Sequence, residues 1–209
     1  MTPRSSRIES KATRSRVMEA AFQLFLEQGY HGTALRQIVA RAGVTMGGIY
    51  NHFASKEELW VAVFLGRHPL NQLAPLMQQV EGETITAAVH SAARLMVAEL
   101  GRQDELVKLM MIEVVEFNGR HMPMLMDLVL PAFMETGQVI FAKTGRLRPL
   151  PMPILIRAFV GLFFSYYMTD KMIPPQFQSV FGSDSLSNFV DVYLHGILVS
   201  SEEASKEPA

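Results

Sequence analysis

The residues with the most specific chemical promise run from Thr45 to Glu58, as Thr-Met-Gly-Gly-Ile-Tyr-Asn-His-Phe-Ala-Ser-Lys-Glu-Glu. The chemistry they suit is recognition of a charged polymer rather than bond making. Thr45 can cap a very short helix, and Ile49 and Phe53 recur at the spacing that buries one side of it. Met46, Gly47, Gly48, Tyr50, Asn51 and His52 are left on the outside. Two apolar positions cannot hold so short a helix, so it must dock on its neighbours. A small docked helix with a polar outer face is what helix-turn-helix proteins place in the major groove. Ser55 and Glu58 then form a capping box for the next helix. The first turn of that helix offers free N–H groups, and Lys56 adds a full positive charge suited to a backbone phosphate. A solvated surface lysine is the other reading. Gly47 and Gly48 each cost helix propensity, roughly 1 kcal/mol against alanine. Close approach to a duplex and close packing against a neighbouring helix both account for Gly47.

Two further helices must position this segment. Val17, Ala20, Ala21, Leu24 and Phe25 form one apolar stripe on a helix expected over 13–28, closed by Gly29 as a left-handed cap. Thr33 is expected to cap a second helix carrying Leu35, Ile38, Val39 and Ala42, and Gly43 to end it in a tight turn. The charge distribution agrees. Residues 1–56 hold eight Lys and Arg against three acids, whereas the whole chain carries −1. A basic head on an acidic body is the electrostatic footprint of a DNA reader joined to something else. Residues 1–10, with Arg4 and Arg7, read as a disordered basic arm that could reach backbone or minor groove; simple solubility is the alternative.

With these residues in place, the head resembles the TetR family of bacterial transcription regulators. The pattern comprises Phe25-Leu26-Glu27-Gln28-Gly29-Tyr30, the Thr33 helix, and the run from Ala42 to Leu59. The likeness covers about residues 11–60. It implies that Thr33, Thr45, Met46, Gly48, Tyr50, Asn51 and His52 face DNA and that Lys56 holds phosphate. Tyr50 and His52 would mainly touch backbone, which positions without specifying sequence. Two positions depart from the pattern. Met46 stands where a basic or polar residue is frequent, and Gly48 where Thr, Ser or Ala is usual. Base readout would then lean on apolar contact, for example Met46 against a thymine methyl, or on Thr45 and Asn51.

The remaining 150 or so residues can bury a core of their own. The expected architecture is all-α: an N-terminal three-helix helix-turn-helix domain over 11–56 (motif about 34–53), a C-terminal helical ligand-binding and dimerisation domain over 57–200, and a flexible tail over 201–209. Helices are expected at about 55–67, 70–81, 84–101, 104–118, 123–144 with a kink at Pro131, 152–172 and 184–200. Leu155, Phe159, Leu162, Phe163, Tyr166 and Tyr167 form one stripe, and the opposite side of that helix is also largely apolar. A helix apolar nearly all round is buried on both sides. With a second long stripe over 186–198, this favours a homodimer in which the last two helices of each chain form a four-helix bundle. A single-chain core is the alternative.

Eleven of the fourteen methionines follow residue 57, and flexible thioethers suit adaptable apolar pockets as well as ordinary cores. Met110, Glu113, Phe117, His121, Met134, Phe163, Tyr166 and Tyr167 are the candidate contacts for an unknown small-molecule effector. There is no cysteine, no Gly-x-Ser-x-Gly elbow, no phosphate-cradling glycine loop and no paired metal-ligand spacing among the six histidines. Catalytic residues, metal ions and cofactors are therefore not expected. Residues 1–16 are polar and basic, unlike a secretory signal, and the longest apolar run, Ala158–Tyr167, is short for a bilayer. Together these lead to a soluble, cytoplasmic protein; the family resemblance implies that it is bacterial and nucleoid-associated when bound. The expected partners are double-stranded DNA at a palindromic operator and a second copy of the chain, with no membrane. The expected function is a transcription regulator; the family resemblance implies a repressor, and the composition of the body suggests a small apolar or aromatic ligand that releases it. The alternative is an architectural or cell-division protein that binds DNA without a small ligand.

Overall fold

The computed structural model describes residues 3–67, 75–76, 78–143, 147–177, 180 and 184–198. They are helical almost throughout, and the described residues contain no strand, only an isolated antiparallel bridge between Leu147 and Leu198. The chain divides into two compact units.

The first unit comprises residues 1–69 and 104–127. Helix α1 spans Pro3–Gly32 and is broken at Gly29, whose φ is +74°. α2 (Leu35–Ala42), α3 (Met46–Tyr50), α4 (Lys56–Arg67) and α6 (Asp104–Phe117) complete it. The apolar stripes read from the sequence form its core. Val17, Ala21 and Phe25 of α1 meet Ile38 of α2, Ile49 of α3, and Leu59, Trp60 and Val63 of α4, all fully buried or nearly so. Trp60 is the hub, with ring centroids 5.2 Å from Phe25 and 5.1 Å from Phe117.

Three local expectations change. The arm over residues 1–10 is helical from Pro3 as part of α1. Proline at a first helical position is preorganised for the helix, and no helix breaker follows until Gly29. The N-cap of α2 is Ala34 rather than Thr33. The Gln37 side chain supplies the cap by accepting the Ala34 N–H at 2.6 Å. Finally, the compact head reaches beyond residue 56, because α4 and residues 104–127 belong to the same unit. Gly43 does end α2 in the left-handed region, at φ 62° and ψ 42°.

The second unit comprises residues 70–103 and 128–209. It contains α5 (Ile85–Arg102), most of α7 (Met122–Phe141), α8 (Met152–Met172), a short 3-10 turn (Pro175–Phe177) and α9 (Ser185–Ile197). The expected helix at 70–81 and the tail at 201–209 lie largely or wholly outside the described residues. Thr84 caps α5 by accepting the Ala87 N–H at 3.2 Å. Ala88, Ala92 and Met96 of α5, Leu155 and Phe163 of α8, and Val190 and Leu194 of α9 are buried. The Tyr193 hydroxyl of α9 donates to the Leu155 carbonyl of α8 at 2.9 Å.

α7 and α8 are long and apolar enough to cross a membrane by length and composition, each with a mean hydropathy of 1.3. Scattered polar residues hide this in a search for unbroken apolar runs. Within the chain only 28% of the α7 window and 17% of the α8 window are buried, so the expectation that α8 is buried on both sides is not met within one protomer.

Candidate nucleic-acid interface

α3 is held by the two side chains that its pattern singled out: Ile49 and Phe53 are buried. The Thr45 hydroxyl accepts the Gly48 N–H at 3.1 Å and closes the first turn. Behind α3, the Gly43 turn and the Val44 N–H to Val39 carbonyl bond (3.2 Å) set its angle to α2. The outward face then consists of Thr45, Met46, Gly47, Tyr50 and Asn51, with Gly48 and His52 half-buried. Met46 and Tyr50 are 40% and 54% exposed, large for side chains of this size.

Gly47 bears on its two readings. Its φ is not positive, and a Cβ built there meets nothing within 4 Å. Neither backbone strain nor packing against α2 requires a glycine here. At Gly48 a Cβ would lie 3.3 Å from the Thr45 hydroxyl, a tight contact.

Two expected DNA-facing residues are placed differently. Thr33 is only 1% exposed. Its hydroxyl donates to the Gly29 carbonyl at 2.7 Å, with the Leu24 carbonyl at 3.2 Å, so it satisfies the break after α1 instead of facing outward. Lys56 is half-buried and directs its ammonium inward, donating to the carbonyls of Tyr30 and Thr33 at 2.8 Å each. It also lies over the Tyr30 ring, 4.1 Å from its centroid. Burial lowers the Lys56 pKa, an effect opposed by the Glu116 carboxylate. Two other basic groups of the head are also engaged, whereas Arg36 on α2 is exposed. Arg41 makes a two-pronged pair with Glu27, at 2.7 and 3.0 Å, which lowers the Glu27 pKa and raises that of Arg41. Arg14 lies over the Phe53 ring at 5.0 Å.

A bracing cluster beneath this interface was not foreseen. The Glu116 carboxylate accepts the Tyr30 and His31 N–H groups at 3.1 and 2.7 Å. It occupies the space that a side chain at residue 29 would need, since a Cβ there would lie 2.4 Å from its Oε1. Glu113, fully buried, accepts the Trp60 indole N–H at 2.8 Å and the His121 backbone N–H at 2.8 Å, with the His121 ring 2.9 Å away. Glu57 pairs with Arg120 at 3.0 Å. Three residues proposed as effector contacts, Glu113, Phe117 and His121, are thus part of this cluster. Acidic residues at 113 and 116 in the apolar C-terminal half of this helix were the available signal, but Trp60, Tyr30 and His31, which they hold, lie more than fifty positions away.

The remaining effector candidates lie in different surroundings. Phe163 and Tyr167 are core, the Tyr166 hydroxyl lies 3.1 Å from that of Ser185, and Met110 and Met134 are half-buried. A small apolar cavity of about 30 Å³ does exist in the second unit, lined mainly by Val89, Ala92, Phe133, Ile140, Ile156 and Phe159. Thr136 and Ile140 also line an adjoining cleft of about 210 Å³ with Gln78, Glu135 and Lys143. No effector candidate lines either space. Among the described residues no group of His, Cys, Asp and Glu could hold a metal.

A short helix docked on two others, capped by threonine and exposing Met46, Tyr50 and Asn51 around two glycines, has the form of a helix-turn-helix DNA-binding head. Residues 17–63 match the bacterial regulatory proteins of the tetR family, so the likeness to that family lies in this head. A stretch of 68 residues, 32% of this chain, is 44% identical to the uncharacterized HTH-type transcriptional regulator TtgW of Pseudomonas putida. The match spans about half of that protein's length, 51%. The fold likeness extends further. A tetR-family bacterial regulatory protein from Rhodococcus RHA1 superposes with a TM-score of 0.64 at 17% identity, covering 90% of this chain and 98% of the other. NalD, the secondary repressor of the MexAB-OprM multidrug efflux pump in Pseudomonas aeruginosa, gives 0.58 at 23% identity, with 90% and 98% covered.

Proposed function

We propose that the chain is a homodimeric, sequence-specific DNA-binding transcription regulator, acting as a repressor that a small apolar or aromatic ligand releases from a palindromic operator. The observation that carries the DNA reading is the outer face of α3. It exposes Met46, Tyr50 and Asn51 around a glycine for which the protein's own packing has no need. Such a face suits a closely approached groove. Lys56 is not required as a phosphate anchor in this reading; Tyr50 and His52 are better placed for backbone contacts.

The dimer reading rests on α8 and α9. Ile154, Ala158, Gly161, Ser165 and Met172 lie along one exposed side of α8, and Val192 and Gly196 on one of α9. A Cβ at Gly161 or Gly196 would meet nothing within 4 Å, so these glycines leave room for another helix. Two reading helices can then enter successive major grooves, whose spacing is about 34–36 Å.

The ligand reading is supported by the apolar cavity in the second unit. At about 30 Å³ it is far smaller than a drug-sized site, so an inducer must widen it. That NalD is a repressor of a drug efflux pump is in keeping with this reading. A regulator of this kind works on bacterial DNA, and so in the cytoplasm.

Selection from random duplex DNA, at low and at physiological salt, tests the central reading. Recovery of one palindrome with half-sites about a helical turn apart supports it. Binding without enrichment that vanishes steeply with salt would favour the architectural alternative.

A further inference from the structure

We propose that the cleft beside the carboxyl-terminal end of α7 binds an amphipathic monocarboxylic acid. Lys143 holds its carboxylate, and its hydrocarbon group enters the apolar cavity behind Thr136 and Ile140. This rests on the ligand reading above and names the chemistry of that ligand.

The first observation is the shape. The cleft, about 210 Å³, and the cavity, about 30 Å³, share Thr136 and Ile140 as lining residues. Together they run from polar to apolar. Gln78, Glu135, Thr136 and Lys143 supply the polar part of the cleft, and Phe133, Ile156 and Phe159 wall the cavity. Val139, on the cleft, is 63% exposed, an apolar lip that a hydrocarbon can cover. A molecule with one polar end suits this gradient. One apolar throughout would strip water from the polar lining without replacing its hydrogen bonds.

The second observation is the charge at the polar end. Lys143 is half-buried, and its ammonium donates to the Gly82 carbonyl at 2.5 Å. That carbonyl belongs to a fixed turn. Gly82 has φ +114°, and a Cβ there would lie 2.7 Å from that of Ala87. The adjacent Glu81 N–H donates to the Ser91 hydroxyl at 3.1 Å. One hydrogen bond leaves an ammonium two further donors. A cation already held in place loses little freedom when it binds an anion. Glu135, on the same cleft, is exposed and stays hydrated, so a cationic ligand would gain less from it. Its charge still counts against a second negative charge on the ligand. One cation beside one carboxylate therefore favours a carboxylate over a phosphate dianion.

The experiment is isothermal titration of the full-length protein with benzoate, phenylacetate and hydrocinnamate. Hydrocinnamamide, phenylpropylamine and phenyl phosphate are the comparison ligands. Hydrocinnamate should bind about tenfold more tightly than its neutral amide, as a charge-assisted hydrogen bond predicts. From benzoate to hydrocinnamate, affinity should rise about fourfold per methylene buried. Lys143→Met should erase the difference between acid and amide, and Lys143→Arg should retain it. Thr136→Trp, which blocks the passage between cleft and cavity, should remove the gain from the added methylenes. Circular dichroism checks that each variant is folded. Equal affinity for acid and amide overturns the proposal, as does an acid preference that survives in Lys143→Met. Tighter binding of the amine than of hydrocinnamate, or of phenyl phosphate than of benzoate, overturns it too, and so does binding of none of these compounds. No DNA is present, so those outcomes leave the regulator reading intact. Acid binding that leaves operator affinity unchanged would instead remove the reading of a ligand-released repressor.

Discussion

Glu113 illustrates how one residue can organise a domain. Fully buried, it accepts from Trp60 and from the His121 backbone, so a single carboxylate ties α4 to α6 and to the turn that follows. Replacing it by alanine orphans two buried donors, at about 1–3 kcal/mol each. Glu113→Gln keeps an acceptor and should destabilise less than Glu113→Ala in urea unfolding. Trp60 is the chain's only tryptophan, so its fluorescence reports directly on this site. The exposed Glu57–Arg120 pair, by contrast, should matter little, because exposed ion pairs contribute about 0–1 kcal/mol.

In the second unit, burial raises the Tyr193 phenol well above its ordinary value of 10. The sign follows from linkage. Below pH 10 both folded and unfolded phenols are protonated. Above it, only the unfolded one readily releases its proton, so stability falls as pH rises. An alkaline drop in melting temperature beginning near pH 10 is expected in the wild type and should shrink in Tyr193→Phe. That variant also loses the hydroxyl bond to Leu155.

At the scale of elements, α3 and the α1 break place opposite demands on glycine. Gly47 has an ordinary φ and open surroundings, so Gly47→Ala should stabilise the helix by up to about 1 kcal/mol. If close approach to DNA is its purpose, the same variant binds operator more weakly. Higher stability with unchanged DNA affinity would remove the close-approach reading. Gly29 combines φ +74° with the Glu116 carboxylate in the place of its missing side chain. Gly29→Ala therefore strains the backbone and displaces the group that caps Tyr30 and His31. A loss of stability is expected in thermal unfolding, with the amide signals of residues 30 and 31 losing exchange protection.

For the whole molecule, the exposed small and apolar faces of α8 and α9 predict association. Ile154 and Met172 are 49% and 76% exposed, and Gly161 and Gly196 leave room for a neighbouring helix. Gly161→Arg or Val192→Glu should leave the protomer folded by circular dichroism, shift sedimentation from dimer to monomer, and abolish tight binding to a two-half-site duplex. Retention of the dimer in both variants would place the interface elsewhere.

Local pattern alone determined a good deal about this protein. The apolar stripes of α1, α2 and α4, the capping by Thr45 and Ser55, and the stop at Gly43 are set by residues within one or two turns of each other. Such signals are legible because helix periodicity and capping are short-range. The outward set from Thr45 to His52 was legible for the same reason: once Ile49 and Phe53 face inward, the rest of so short a helix has only one way to point. Tertiary structure decided what depends on distant partners. It turned Thr33 inward onto carbonyls of residues 24 and 29 and drew Lys56 onto those of residues 30 and 33. It also joined Glu113, Phe117 and His121 into one cluster with Trp60 that braces the head. A buried polar group goes where its hydrogen bonds can be completed, and those partners come from elements far apart in the chain.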